Sequence, residues 1–173
     1  MGKNVLIVID MQEDFVYGAL ANPAAAAIIP KIKKKIDDVL AHGDDVIFTR
    51  DTHEVDYLET QEGQRLPIPH CIKETKGWTI VDELSHPECK HINKDTFGYQ
   101  YWEDEGLELY DNIELVGTCT GICVVSNALL IKACYPETPM FVDASCCACI
   151  SEEAHKAALT TMKMCQIEVF NED

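Results

Sequence analysis

Ile113-Glu114-Leu115-Val116-Gly117-Thr118-Cys119-Thr120-Gly121-Ile122-Cys123-Val124 passes from a short apolar run, through a small polar loop, into an apolar stretch that continues to Cys134. The first four residues have the length and β-branching of a buried strand, and the stretch from Ile122 has the length of a helix. Similar short runs recur at Val5–Ile9, Val46–Thr49, His91–Asn93 (the weakest), Met140–Val142 and Ile167–Phe170. Helical spacing lies between them. Ile28, Ile29, Ile32, Ile36, Val39 and Leu40 share one face, Lys31, Lys33, Lys34 and Lys35 lie mostly opposite, and Gly43 is a C-terminal stop. Ser151 is placed to cap a further helix through Ala158, Leu159 and Met162. Ile122–Cys134 is apolar almost throughout, which predicts a helix buried on most sides.

Strands alternating with helices predict an α/β fold: a single doubly wound (Rossmann-like) six-stranded parallel sheet with helices on both faces. One domain is expected over residues 1–173, with a long loop insertion at about 52–88 that includes Leu66-Pro67-Ile68-Pro69. The length of 173 residues, 47% hydrophobic and 25% charged, suits one core and excludes a disordered or fibrous chain.

The formal charge is −16, from 14 Lys plus Arg against 30 Asp plus Glu, which argues against nucleic acid or an anionic membrane as partner. Nine cysteines are an odd number, unlike the framework of a small secreted scaffold, so a reducing, cytoplasmic setting is expected. Val5–Ile9 is too short for a signal-peptide core, and no apolar stretch reaches the ~18 residues of a membrane span.

Open α/β sheets bind ligands beyond the carboxyl ends of their strands. The residues there are Asp10 after the first strand, Asp51 and His53 after the second, Lys94 after the third, and the loop Gly117–Cys123 after the fourth. Cysteine attacks as its thiolate, which a helix N-terminus, a cation or a base favours. Cys123 has a claim to all three, with Lys94 as cation, Asp10 as base, and loop N–H groups to receive an oxyanion. Asp51 and His53, two residues apart in an extended segment, face one way. His70 could complete a metal site with Glu59 or Glu62, and such a donor set suits Zn, Fe or Mn. Cys146, Cys147 and Cys149 lack a second pair at zinc-ribbon spacing and are read as small buried residues. Cys119 lies within reach of oxidation with Cys123, its main role coming from its backbone.

Val8-Ile9-Asp10-Met11-Gln12-Glu13-Asp14-Phe15, Thr49-Arg50-Asp51-Thr52-His53, Pro69-His70-Cys71, Lys94-Asp95-Thr96-Phe97 and Val116–Val124 stand in that order along nearly the whole chain. Together they resemble the isochorismatase-like cysteine hydrolases, most closely the nicotinamidase branch. The resemblance implies a catalytic triad of Asp10, Lys94 and Cys123, and a cis peptide at Thr118–Cys119 that aims N–H groups at the oxyanion. It implies a divalent metal held by Asp51, His53, His70 and Glu62, with Glu59 as the substitute for the last, and Phe15 as a ring contact.

The implied reaction converts nicotinamide or a similar small carboxamide to the acid and ammonia through a thioester. Homo-oligomers are also implied. Two departures are visible. No aromatic precedes His70, and Gly121 stands where the family commonly has Asp. Another isochorismatase-like activity, on a vinyl ether, an N-carbamoyl or a ureido substrate, is the alternative. A non-catalytic metal or redox protein built on the cysteine-rich segments leaves the placement of Asp10, Lys94 and Cys123 unexplained.

Overall fold

The computed structural model describes residues 2–173. Its elements are β1 (Lys3–Ile9), α1 (Glu13–Val16), α2 (Pro23–Ala41), β2 (Asp45–Asp51), α3 (Gln61–Arg65), β3 (Lys90–Lys94), β4 (Tyr110–Thr118), α4 (Val125–Cys134), β5 (Met140–Ala148), α5 (Glu152–Met164) and β6 (Glu168–Phe170). The six strands form one all-parallel sheet in the order β3-β2-β1-β4-β5-β6.

Alternation along β1 divides the core. Leu6 and Val8 face α2, where Ile28, Ile29, Ile32 and Ile36 are buried. Val5, Ile7 and Ile9 face Val124, Ala128 and Ile131 around α4, and Leu159 and Met162 of α5. The sheet is thus covered on both faces, as parallel strands require.

Strands run longer than their apolar runs because parallel pairing carries polar end residues into the ladder, such as Asp51 opposite Lys94. Helix α2 begins earlier than its isoleucines, capped by the Asn22 side chain accepting from the Ala24 N–H. It stops at Gly43, whose φ of +81° suits glycine. Ser151 caps α5 by accepting from the Ala154 N–H.

Two expectations need correction. The apolar segment Ile122–Cys134 is not buried on most sides. Ile122 and Leu130 are exposed, and the segment opens with a π-helical turn over Thr120–Val124 before α4. Nor is 52–88 simply an insertion of loop. It contains α3, buries Tyr57, Val81 and Leu84, is braced internally by the bridge of His53 with Ile72, and is tied to the frame by the bridge of Gln12 with Ile80. Its polar composition hid these few apolar anchors.

The strand order reverses between β1 and β4, so the chains leaving these strands go to opposite faces and open a crevice at the carboxyl edge. Ile9 pairs with both Thr49 and Gly117, which brings Asp10 level with the loop after β4. Gly117 has no room for a side chain: a Cβ there would lie 2.2 Å from the Ile9 carbonyl oxygen, and φ is +123°. No helix is long and apolar enough to cross a membrane among the described residues.

Candidate active site

Asp10, Lys94 and Cys123, from the ends of three different strands, meet in this crevice. Lys94 Nζ is 2.7 Å from Asp10 Oδ2, 3.4 Å from Asp51 Oδ1 and 3.6 Å from Cys123 Sγ. All four side chains are buried, and Lys94 also donates to the Thr96 carbonyl. Asp10 sits at a left-handed φ of +50°, sparsely used by residues with a Cβ, which ends β1 and leaves its carboxylate between Lys94 and the cysteine. Its Oδ1 accepts from the Thr49 hydroxyl at 2.6 Å. Its Oδ2, although close to Lys94, has no well-angled hydrogen bond and keeps a lone pair available.

Burial pushes the Asp10 pKa up, with Lys94 opposing and Asp51 reinforcing. Lys94 is held charged: burial works against it, but Asp10, Cys123 and Asp51 outweigh that. Burial first, then the Asp10 charge, push the Cys123 thiol well above its ordinary value despite Lys94. A sulfur that keeps its proton until a base takes it is what the reading of Asp10 as base calls for. The buried sulfur faces anions as well as the one cation, which favours its protonated form, and the adjacent Asp10 carboxylate, its own pKa raised by burial, stands as the acceptor.

Beside this cluster, Asp51, His53, Glu62 and His70 each present one ligand atom, all within 4.8 Å of one another. His53 Nε2 lies 2.9 Å from Asp51 Oδ2 and 3.6 Å from Glu62 Oε1, and His70 Nε2 lies 3.6 Å and 3.9 Å from the same two atoms. Tetrahedral donors at metal bond lengths of ~2.0–2.1 Å stand roughly 3.4 Å apart, so modest adjustment would close the set on a cation. His70 Nδ1 is engaged with the Ile68 carbonyl at 2.8 Å, which directs Nε2 to the group.

Lys94, His53 and His70 hold Asp51 ionised against the cost of its burial, whereas burial and the Asp51 charge push Glu62 up. Two carboxylates and two imidazoles converging in this way fit a divalent metal. Glu62, not Glu59, belongs to the group; Glu59 is exposed.

Above both clusters opens a cavity of about 290 Å³. Its walls are Phe15, Leu20, Leu66, Phe97, Ile122 and Ile150, and its lining includes Cys123, Asp51 and His70. Phe15 packs on His70 with ring centroids 5.5 Å apart. Among the described residues lining it, none is Lys or Arg. The Thr118–Cys119 peptide is cis, and both residues line this cavity. The Cys119 sulfur contacts Cys149 at 2.8 Å, not the expected Cys123, because Thr118 pairs with Ala148 and so sets the two following cysteines side by side. Cys146, Cys147 and Cys149 are buried, as their reading as packing residues requires.

Three further residues carry structural work that sequence reasoning left unassigned. The Gln12 amide donates to the carbonyls of Asp51 and Trp78 and accepts from the Asp51 N–H, fixing β2's end. Asn127 donates to the carbonyls of Cys123 and Phe97 and accepts from the Tyr99 N–H and Trp102 Nε1, tying α4 to the segment after β3. Thr120 bonds His155 Nδ1 at 2.8 Å, joining the cysteine loop to α5. For Asn127 the available signal was a polar residue within the apolar stretch Val124–Ile131, whereas Gln12 stands among Asp10, Glu13 and Asp14 and carried none.

An open parallel sheet with a buried cysteine, lysine and aspartate at its switch point makes this an α/β protein with a candidate nucleophile at the carboxyl edge of its strands. Residues 4–172 match the family model of the Isochorismatase domain, and the chain belongs to the isochorismatase family of hydrolases. Among solved structures it is similar to the pyrazinamidase of Pyrococcus horikoshii, in complex with zinc, at 24% identity and a TM-score of 0.83 over 97% of this chain and 98% of that one. It is similar to the nicotinamidase/pyrazinamidase of Bacillus subtilis at 25% identity and a TM-score of 0.83, covering 96% and 98% of the two chains. It is also similar to the N-carbamoylsarcosine amidase of Thermoplasma acidophilum at 22% identity and a TM-score of 0.78, covering 99% and 97%. Among curated proteins no match is found.

Proposed function

We propose that this protein is a cysteine-dependent amidohydrolase that converts nicotinamide or a similar small carboxamide to the acid and ammonia. The carrying observation is the pairing of the Asp10–Lys94–Cys123 cluster with a cavity walled by apolar and aromatic side chains and lined, among the described residues, by no Lys or Arg. A substrate bearing carboxylates, such as isochorismate or an N-carbamoyl amino acid, would enter without a counter-charge, since Lys94 is already shared between Asp10 and Asp51. A flat, uncharged ring against Phe15 meets no such cost.

Cys123 attacks the carboxamide carbon while Asp10 takes the thiol proton, the raised Asp10 pKa reducing the gap the proton crosses. The Lys94 ammonium stays in place and stabilises the sulfur as it loses its proton. Backbone N–H groups of Cys119 and Cys123 receive the oxyanion. Asp10 then gives its proton to the leaving amine, ammonia departs, and a thioester remains on Cys123. Water, deprotonated by Asp10, releases the acid. Asp51, His53, Glu62 and His70 would hold a divalent metal, Zn, Fe or Mn, which supplies a Lewis-acid contact for a ring nitrogen. The proposal extends to a homo-oligomer, as the family resemblance implies, in the reducing, cytoplasmic setting that nine cysteines suggest.

The test is ammonia release from nicotinamide, pyrazinamide and an N-carbamoyl amino acid, each with added Zn, Fe or Mn. The two ring carboxamides are expected to turn over at least ten times faster than the carbamoyl acid. The opposite order overturns the substrate class.

A further inference from the structure

Cys119 and Cys149 lie with their sulfurs 2.8 Å apart at the rim of the cavity, less than 1 Å beyond the ~2.05 Å of a disulfide bond. The contact follows from the fold, since each cysteine directly follows one member of the Thr118–Ala148 pair in the β4–β5 ladder. The two sulfurs differ in access. Cys119 lines the cavity and is half-buried, whereas Cys149 is 8% exposed, with its carbonyl accepting from Asn22 Nδ2.

We propose that Cys119 and Cys149 form an oxidisable dithiol that a small disulfide compound converts to an internal disulfide, and that this oxidation switches off turnover at Cys123. The Cys119 sulfur attacks one sulfur of the compound RSSR, and one RSH leaves with the proton. Cys149 then attacks the Cys119 sulfur of the mixed disulfide, and the second RSH leaves. The two protein thiols together give up two electrons and two protons, and RSSR becomes two RSH. Burial and the Cys149 thiol push the Cys119 pKa up to about 11, so the first step quickens as pH rises toward that value. Closure draws Cys119 toward β5, and its backbone belongs to the loop assigned above to the oxyanion. A displacement of about 1 Å at such a site costs up to about a hundredfold in rate. The loss of turnover rests on the amidase reading; formation of the disulfide does not.

The experiment treats the full chain with cystamine and maps its disulfides by mass spectrometry, alongside ammonia release from nicotinamide. A Cys119–Cys149 disulfide is expected in the wild type and in Cys123→Ala, forming faster at pH 9 than at pH 7. Wild-type turnover is expected to fall at least tenfold on the same time course and to return with dithiothreitol. Cys149→Ser keeps its basal turnover and ends instead with a cysteamine adduct on Cys119. Absence of the internal disulfide in both wild type and Cys123→Ala, or a Cys119–Cys123 disulfide in its place, overturns the dithiol. A mapped disulfide with turnover unchanged overturns the switch and leaves the amidase reading standing.

Discussion

The two clusters at the carboxyl edge of the sheet touch through Asp51 but are built differently. Lys94 ends a paired strand, Asp10 directly follows β1, Cys123 lies in the helical turn that the loop after β4 enters, and the three carry a buried ion pair. Of Asp51, His53, Glu62 and His70, only Asp51 is in a strand; the others come from the 52–88 segment, held by single bridges and a five-residue helix. The first cluster is fixed by the sheet itself, and its loss is expected to abolish chemistry. The second is held by a polar loop, so its loss is expected to tune binding and leave the fold alone.

The largest expected effect comes from Cys123→Ala, which removes the nucleophile and a small buried sulfur. Ammonia release should fall by about three orders of magnitude or more, with the thermal midpoint nearly unchanged. Lys94→Met separates folding from chemistry on the strand side. It leaves two buried carboxylates without their cation, and denaturant titration should show a loss of about 3–5 kcal/mol. Adding Asp10→Asn to it should restore part of that stability and none of the activity.

Glu62→Gln probes the loop side. Metal affinity, read by competition with a chelator, should fall at least about tenfold while stability changes little, because Glu62 is partly exposed. A Glu62→Gln protein that unfolds would erase the distinction between the two regions.

The smallest effect is a pH shift. Asp10 must be ionised to take the thiol proton, so the rate rises with pH through its pKa, which burial holds above the ordinary carboxylate range. The Thr49 hydroxyl favours the ionised form and lowers that pKa. Thr49→Val therefore raises it further, and the ascending limb of kcat/KM against pH should move to higher pH by about one unit or less. A shift to lower pH would exclude Asp10 as the group on that limb.

The same contrast explains what the sequence made legible. Strand ends are marked by apolar runs that stop at a charged or glycine residue, so Asp10, Asp51, Lys94 and Gly117 could be placed before strand order was known. That order, with β1 between β2 and β4, is what sets them side by side, and no local pattern encodes it. In the 52–88 segment periodicity fails, because buried Tyr57, Val81 and Leu84 are separated by polar turns. Glu62 could be preferred to Glu59 as the fourth donor, and α3 is what turns its carboxylate toward His53 and His70. Cys119 and Cys149 were separate residues in the sequence and became neighbours only through the register of β4 with β5. The upward push on the Cys123 thiol was hidden for a related reason: enclosure and the nearness of carboxylates are properties of the packed crevice.

The central claim is covalent catalysis at Cys123, and an acyl-enzyme trap tests it most directly. The protein is mixed with nicotinamide, quenched in acid within the first turnover, and its peptides are weighed. A nicotinoyl group on the Cys123 peptide, absent from Cys123→Ala, is the predicted result. Ammonia released with that peptide unmodified, or turnover persisting in Cys123→Ala, would contradict it.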